Sequence, residues 1–208
     1  MTLEELNQAV KNCSKCPLHK GRTNAVPGTG NPQAEIMFIG EGPGKNEDLQ
    51  GLPFVGAAGK FLDELLAEIK MERKDVFIAN AVKCRPPENR DPEPAEKAAC
   101  FPYLLEQIKL IQPKLICFLG RHSMGLFLPP DLKISEVHGQ PKIYWSPEGE
   151  ASGKKQVYLP LYHPAAALYN GGMREKLKDD FRRIPSILKK VDELLQQNKL
   201  GKKRVGMV

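Results

Sequence analysis

Ile36-Met37-Phe38-Ile39-Gly40-Glu41-Gly42-Pro43-Gly44-Lys45-Asn46-Glu47-Asp48 is the most informative stretch of the chain. Four consecutive apolar residues read as a strand buried on both faces. Gly40, Gly42, Pro43 and Gly44 then end it, because three glycines round a proline neither extend a strand nor build a helix interior. Such a turn lets the backbone come close to a ligand. Glu41 lies inside it, at the carboxyl end of the strand, where open α/β sheets place their sites. Taken alone, the loop also reads as an ordinary strand-to-helix turn. A phosphate-binding loop fits less well. The Walker Lys-Ser/Thr spacing is missing, and Pro43 removes a backbone donor.

Outward from this stretch, strands are expected over 35–40, 76–79, 115–119, 142–145 and 157–162. Helices are expected over 3–11, 59–70 and 94–112, over a short segment containing His122, and over a long basic segment, 174–196. Strands that alternate with helices predict a largely parallel sheet sandwiched between helices. The strand ends would then set Glu41, Asn80 and His163 on one rim, three polar groups from three strands. The loop Gly51-Leu52-Pro53-Phe54-Val55-Gly56 holds an aromatic among breakers. Phe54 reads either as core or as a stacking platform for a base. The Asn80 amide offers a donor and an acceptor side by side, suited to a turn cap or a base edge. His19, His122 and His138 carry no functional reading, and Trp145 reads as packing.

Cys13-Ser14-Lys15-Cys16-Pro17 places two thiols at i and i+3, followed by proline. With Cys84 and Cys100 they make a set of four, enough for a [4Fe–4S] cluster or a structural zinc. The long interval from Cys84 to Cys100 favours a cluster over a zinc ribbon. A lone C-x-x-C also suits a redox pair. Cys117, inside an apolar strand, reads as an inert buried thiol.

At 208 residues the chain suits one sizeable α/β domain, expected over 1–196 with a basic tail over 197–208. No stretch is apolar enough to span a bilayer, and Met1 to Val10 lacks a signal pattern. An intracellular protein is expected, with cysteines outside a disulfide framework. The net charge is +6, and residues 170–208 hold eleven Lys or Arg against five Asp or Glu. The whole excess therefore sits in this segment, which suits a polyanion such as DNA, or a solvated helix.

These marks together resemble family 4 uracil-DNA glycosylases, the iron–sulfur branch of that superfamily. They are Gly40-Glu41-Gly42-Pro43-Gly44, the Gly51-to-Gly56 loop with Phe54, Asn80, His163-Pro164, and Cys13, Cys16, Cys84 and Cys100. The likeness covers roughly residues 3–190. It implies an α/β/α sandwich round a four-stranded, mostly parallel sheet. It also implies a structural [4Fe–4S] cluster on the four named cysteines, with Cys117 excluded. The implied partner is uracil-containing DNA, single- or double-stranded, bound by a monomer.

Residue by residue, the resemblance implies that Phe54 stacks on the flipped uracil and Asn80 reads its N3–H and O4 edge. The Gly42 backbone lines the pocket. Glu47 occupies the space beside C5, so that a thymine methyl would clash. His163 donates to O2, and Glu41 positions or polarises the attacking water. Two positions depart from the superfamily pattern. Better-known members carry a water-activating Asp after the glutamate, where this chain has Gly42. A leucine wedge often follows the histidine by four residues, where this chain has Ala167. Leu168, or Tyr169 beside it, is the expected wedge.

Two other readings stand against this one. The first is an iron–sulfur module that binds DNA without turnover or traps the abasic sugar covalently. The trapping branch uses a histidine in a basic insert after the glycine loop, and residues 45–56 contain none. The second is a nucleotide-binding α/β protein.

Overall fold

A computed structural model of the chain describes residues 1–147, 149 and 154–193. The strands are β1 (Thr29–Gly30), β2 (Ile36–Gly40), β3 (Phe77–Asn80), β4 (Leu115–Leu119), β5 (Lys142–Trp145) and β6 (Lys155–Leu161). They form one sheet in the order β1-β3-β2-β4-β6-β5. The inner strands β3, β2, β4 and β6 run parallel. At the edges, β1 and β5 are antiparallel. The expected four-stranded, mostly parallel sheet is thus the centre of a six-stranded mixed one. β5 is the strand expected over 142–145. β1 has no counterpart in the sequence reading, because two residues are too short to show a period. Glycine permits it: a Cβ on Gly30 would lie 2.0 Å from the carbonyl oxygen of Val76 on the approach to β3.

Helices cover both faces. They are α1 (Leu3–Lys11), α2 (Lys45–Gln50), α3 (Ala57–Glu68), α4 (Pro94–Ile111), α5 (Arg121–Met124), α6 (Ile134–Val137) and α7 (Gly171–Arg182). The period of two along the strands sorts the core. Phe38, Cys117 and Leu159 turn to one face, with Phe61, Leu65, Leu177 and Phe181 of α3 and α7. Phe38 stacks on Phe181, ring centroids 5.5 Å apart. Met37, Ile39, Ile116 and Phe118 turn to the other, with Leu104 and Ile108 of α4. Each such fully buried side chain contributes about 1.5–3 kcal/mol. Cys117 is buried within the sheet, and burial pushes its thiol far up, as an inert role requires.

The long helix expected over 174–196 is divided. α7 ends at Arg182, and helical residues resume over 184–193. Pro185 is the cause. It has no N–H to bond the carbonyl of Phe181, and its ring crowds that carbonyl. Residues 194–196 and the tail expected over 197–208 lie outside the described residues. No helix among the described residues is long and apolar enough to cross a membrane.

Candidate active site

The carboxyl ends of β2, β3 and β6 converge on a cleft of about 380 Å³ lined by Glu41, Gly42, Glu47, Phe54, Asn80 and His163, among others. The six expected pocket residues therefore meet, though they span more than a hundred positions of sequence.

Asn80 closes β3 with only 1 % of its surface exposed. Its side-chain Oδ1 is buried and has no hydrogen-bond partner. A buried amide oxygen left unpaired costs about 1–3 kcal/mol, so the fold bears a cost that an N–H donor in the cleft would relieve. Its neighbours are fitted round it. A Cβ on Gly40 would lie 2.4 Å from Asn80 Oδ1 and 2.6 Å from Cζ of Phe54. A Cβ on Gly42 would lie 2.8 Å from Val82 Cγ2, so that position is also held to glycine.

Phe54 adopts φ of 53°, in the left-handed region that non-glycine residues rarely enter. The conformation is clamped. The Arg73 guanidinium donates to the carbonyl of Phe54, to that of Pro53 at 2.9 Å and to that of Gly59 at 3.3 Å. It also pairs with Asp63 at 2.6 Å. A Cβ on Gly59 would fall 1.7 Å from the Phe54 oxygen, so the loop packs directly on α3. The Phe54 ring lies 5.6 Å from that of His163.

His163 follows β6. The N–H of Ala165 donates to its Nδ1 at 3.1 Å. Desolvation lowers its pKa to about 4, and Glu47 opposes that shift only in part. The ring is therefore neutral at pH 7, with its proton on Nε2, where it is free to donate. Glu41 is half-buried, and desolvation holds its carboxyl above the usual range. His122 Nε2 stands 3.7 Å from Glu41 Oε2 and 3.2 Å from Asp91 Oδ2. Asp91 is held near the cleft by Arg90, which donates to its carbonyl at 2.9 Å. Arg90 also forks onto buried Glu96 at 2.7 and 2.9 Å.

The sequence reading missed His122, Asp91 and Arg73. His122 did carry a signal, since it follows Gly120 at the end of β4, on the same rim as the other three strand ends. Asp91 and Arg73 carried none: Asp91 reaches the cleft from a loop, and Arg73, on the single turn Arg73–Asp75, acts on it only through the carbonyls round Phe54.

The family model described as "UDG: Uracil DNA glycosylase superfamily" matches residues 27–188. The chain belongs to the uracil-DNA glycosylase superfamily. Curated relatives named "Type-4 uracil-DNA glycosylase" match over most of its length. That of Saccharolobus solfataricus is 52% identical, covering 89% of this chain and 86% of the relative. That of Sulfurisphaera tokodaii is 50% identical, covering 88% and 83%. That of Archaeoglobus fulgidus is 48% identical, covering 88% and 92%.

In this member of the superfamily the four expected cysteines gather in a second place, with no lining residue in common with the cleft. Cys13, Cys16, Cys84 and Cys100 line one small cavity with Arg22, Lys83 and Tyr103. All are free thiols. Arg22 donates to Cys84 Sγ at 3.1 Å, and the Lys83 N–H donates to Cys100 Sγ at 3.2 Å. Burial raises both thiols, Cys100 to about 11, while Lys83 and Arg22 work against that rise. Cys117 stands apart in the sheet.

The segment after His163 also separates the two wedge candidates. Leu168 is half-buried and packs on the core beneath the sheet. Tyr169 beside it is 97% exposed.

Proposed function

We propose that the chain is a monofunctional uracil-DNA glycosylase that hydrolyses the N-glycosidic bond of uracil in DNA, leaving free uracil and an abasic site. The observation that carries this reading is Asn80, whose buried Oδ1 is unpaired, lining a cleft that also holds a neutral imidazole donor. Uracil N3–H supplies the missing donor, and the Asn80 amide N–H meets O4. Cytosine lacks the N3 proton and would leave the same oxygen orphaned, so its rejection follows from buried polar pairing.

The base must leave the stack to reach such a cleft. Phe54 then serves as its stacking surface and the Gly42 backbone as a wall. Bond cleavage leaves a cationic sugar and an anionic base. His163 Nε2–H donates to O2 as that charge grows, a fixed donor worth roughly 3–4 kcal/mol in a dry site. Glu41, with its raised carboxyl, orients and polarises water, and Glu47 stands where the C5 methyl of thymine would go. Tyr169 takes the wedge role in place of Leu168, because an exposed ring is free to enter the space the base vacates.

The cysteine site suits a [4Fe–4S] cluster ligated by Cys13, Cys16, Cys84 and Cys100. N–H donors already aimed at two of the sulfurs support this, since they stabilise thiolates that would otherwise be buried and protonated. Bound there, the cluster would pin the N-terminal segment to the loop after β3. It has no part in the cleavage chemistry.

The test is release of uracil from an oligonucleotide with one U opposite G, with T·G and unmodified controls, followed by alkali. Strand cleavage only at U, and only after alkali, is expected. No release by an iron-loaded preparation that still binds the DNA would favour the non-catalytic binding module.

A further inference from the structure

Lys83 is fully buried, with 1 % of its surface exposed, yet no carboxylate pairs with it among the described residues. Its side chain turns back along the chain. Nζ donates to the main-chain oxygen of Asn80 at 2.9 Å and to Oε1 of Gln107 at 2.6 Å. Gln107, itself buried on α4, donates from Nε2 to the carbonyl of Pro27 at 2.7 Å. The main-chain N–H of the same lysine reaches Cys100 Sγ, and the next residue is Cys84. One side chain thus holds the residue whose amide faces the cleft, while its backbone holds the cysteine site.

A buried ammonium with only neutral acceptors is costly. Cys84, the next residue, and Cys100 on α4, whose Sγ accepts the Lys83 main-chain N–H, would supply that negative charge once they ligate a metal. We propose that Lys83 is a positioning residue for base recognition, fixing Asn80 by its main-chain oxygen and coupling it to the four-cysteine site. The idea rests on the glycosylase reading above. It predicts that base recognition weakens when either end of the link is cut, though Lys83 never touches the base.

The test is a double-mutant cycle on iron-loaded protein. Single-turnover excision of uracil is measured for wild type, Lys83→Met, Asn80→Ala and the double variant. Lys83→Met is expected to slow excision about tenfold or more while abasic-site DNA affinity changes less than twofold. In the Asn80→Ala background it should add nothing, because both changes act through one group. Bleaching of the visible absorbance by a chelator should run several-fold faster in Lys83→Met. Where that variant fails to load iron, Gln107→Met removes the anchor of Nζ without touching the cysteine loop, and the same non-additivity is expected. Additive losses in an active wild-type background overturn the positioning role. Unchanged bleaching overturns the link to the cysteines. A wild type that releases no uracil overturns the glycosylase reading itself, and this inference with it.

Discussion

Oε1 of Glu47 accepts the main-chain N–H of Val55 at 2.8 Å, joining the helix after the glycine turn to the loop that carries Phe54. The same oxygen accepts Gly56 N–H at 2.9 Å, and Oε2 accepts Gly44 N–H at 3.1 Å. Glu47 is therefore a staple between two loops as well as a wall of the cleft. Glu47→Ala should cost about 1–3 kcal/mol of stability, as charged hydrogen bonds to backbone do. Excision of uracil should fall at the same time as any thymine release appears. Denaturant unfolding and T·G assays check the pair. Thymine release at unchanged stability would leave Glu47 as a size gate alone.

Arg73 holds Phe54 in its left-handed conformation through three carbonyls. Arg73→Lys keeps the charge but loses the planar fork. It should lower uracil excision by about tenfold while unfolding shifts by about 1 kcal/mol or less. Equal excision by both proteins would mean that packing of Gly59 alone fixes the platform.

Gly40 has no room for a methyl group between Asn80 and Phe54. Gly40→Ala should leave the fold intact and abolish most activity, by about a hundredfold, since a small misplacement of reacting groups carries such a penalty. Circular dichroism and kcat/KM measured together separate this outcome from unfolding.

The neutral state of His163 has a pH signature. Its folded pKa is about 4, below the ordinary 6.5. The stability that comes from burying the neutral ring is therefore fully present above 6.5 and is lost as pH falls from there toward 4. The donor needed for catalysis persists through that same window. On the proposed mechanism the acid limb of kcat is expected to follow Glu41, whose carboxyl is raised, and His163 only near 4. An inflection of kcat at 6.5 that persists in Glu41→Gln would contradict a neutral donor.

Tyr169 is expected to matter only where a duplex must be opened. Tyr169→Ala should reduce excision from U·G duplex several-fold and leave single-stranded substrate nearly unchanged. Leu168→Ala, which removes packing from beneath the turn, should act mainly on stability, by about 2–5 kcal/mol for a fully buried site and less here. Equal loss on both substrates for Tyr169→Ala would assign it to general DNA affinity.

Most of the larger elements, and the residue types of the cleft, are legible in local sequence. Four apolar residues ending in Gly40, the run over 115–119 and the helical faces of 59–70 announce a buried parallel sheet, because period and breakers act over a few residues. Cys13-Ser14-Lys15-Cys16-Pro17 marks a candidate metal or redox segment for the same local reason. Which of these groups meet depends on packing between distant parts of the chain. Strand order puts β4 beside β2, which brings His122 to Glu41 across eighty-one positions. Folding back of loops brings Arg73 to Phe54 and Lys83 to Gln107. Pro185 ends a helix that side-chain periodicity carried through, since the periodicity registers faces and not backbone donors. The edge strand at Thr29–Gly30 exists only because β3 offers a free edge and Gly30 has no side chain to obstruct it. These contacts depend on packing free energy summed over the whole chain, and no window of sequence contains it.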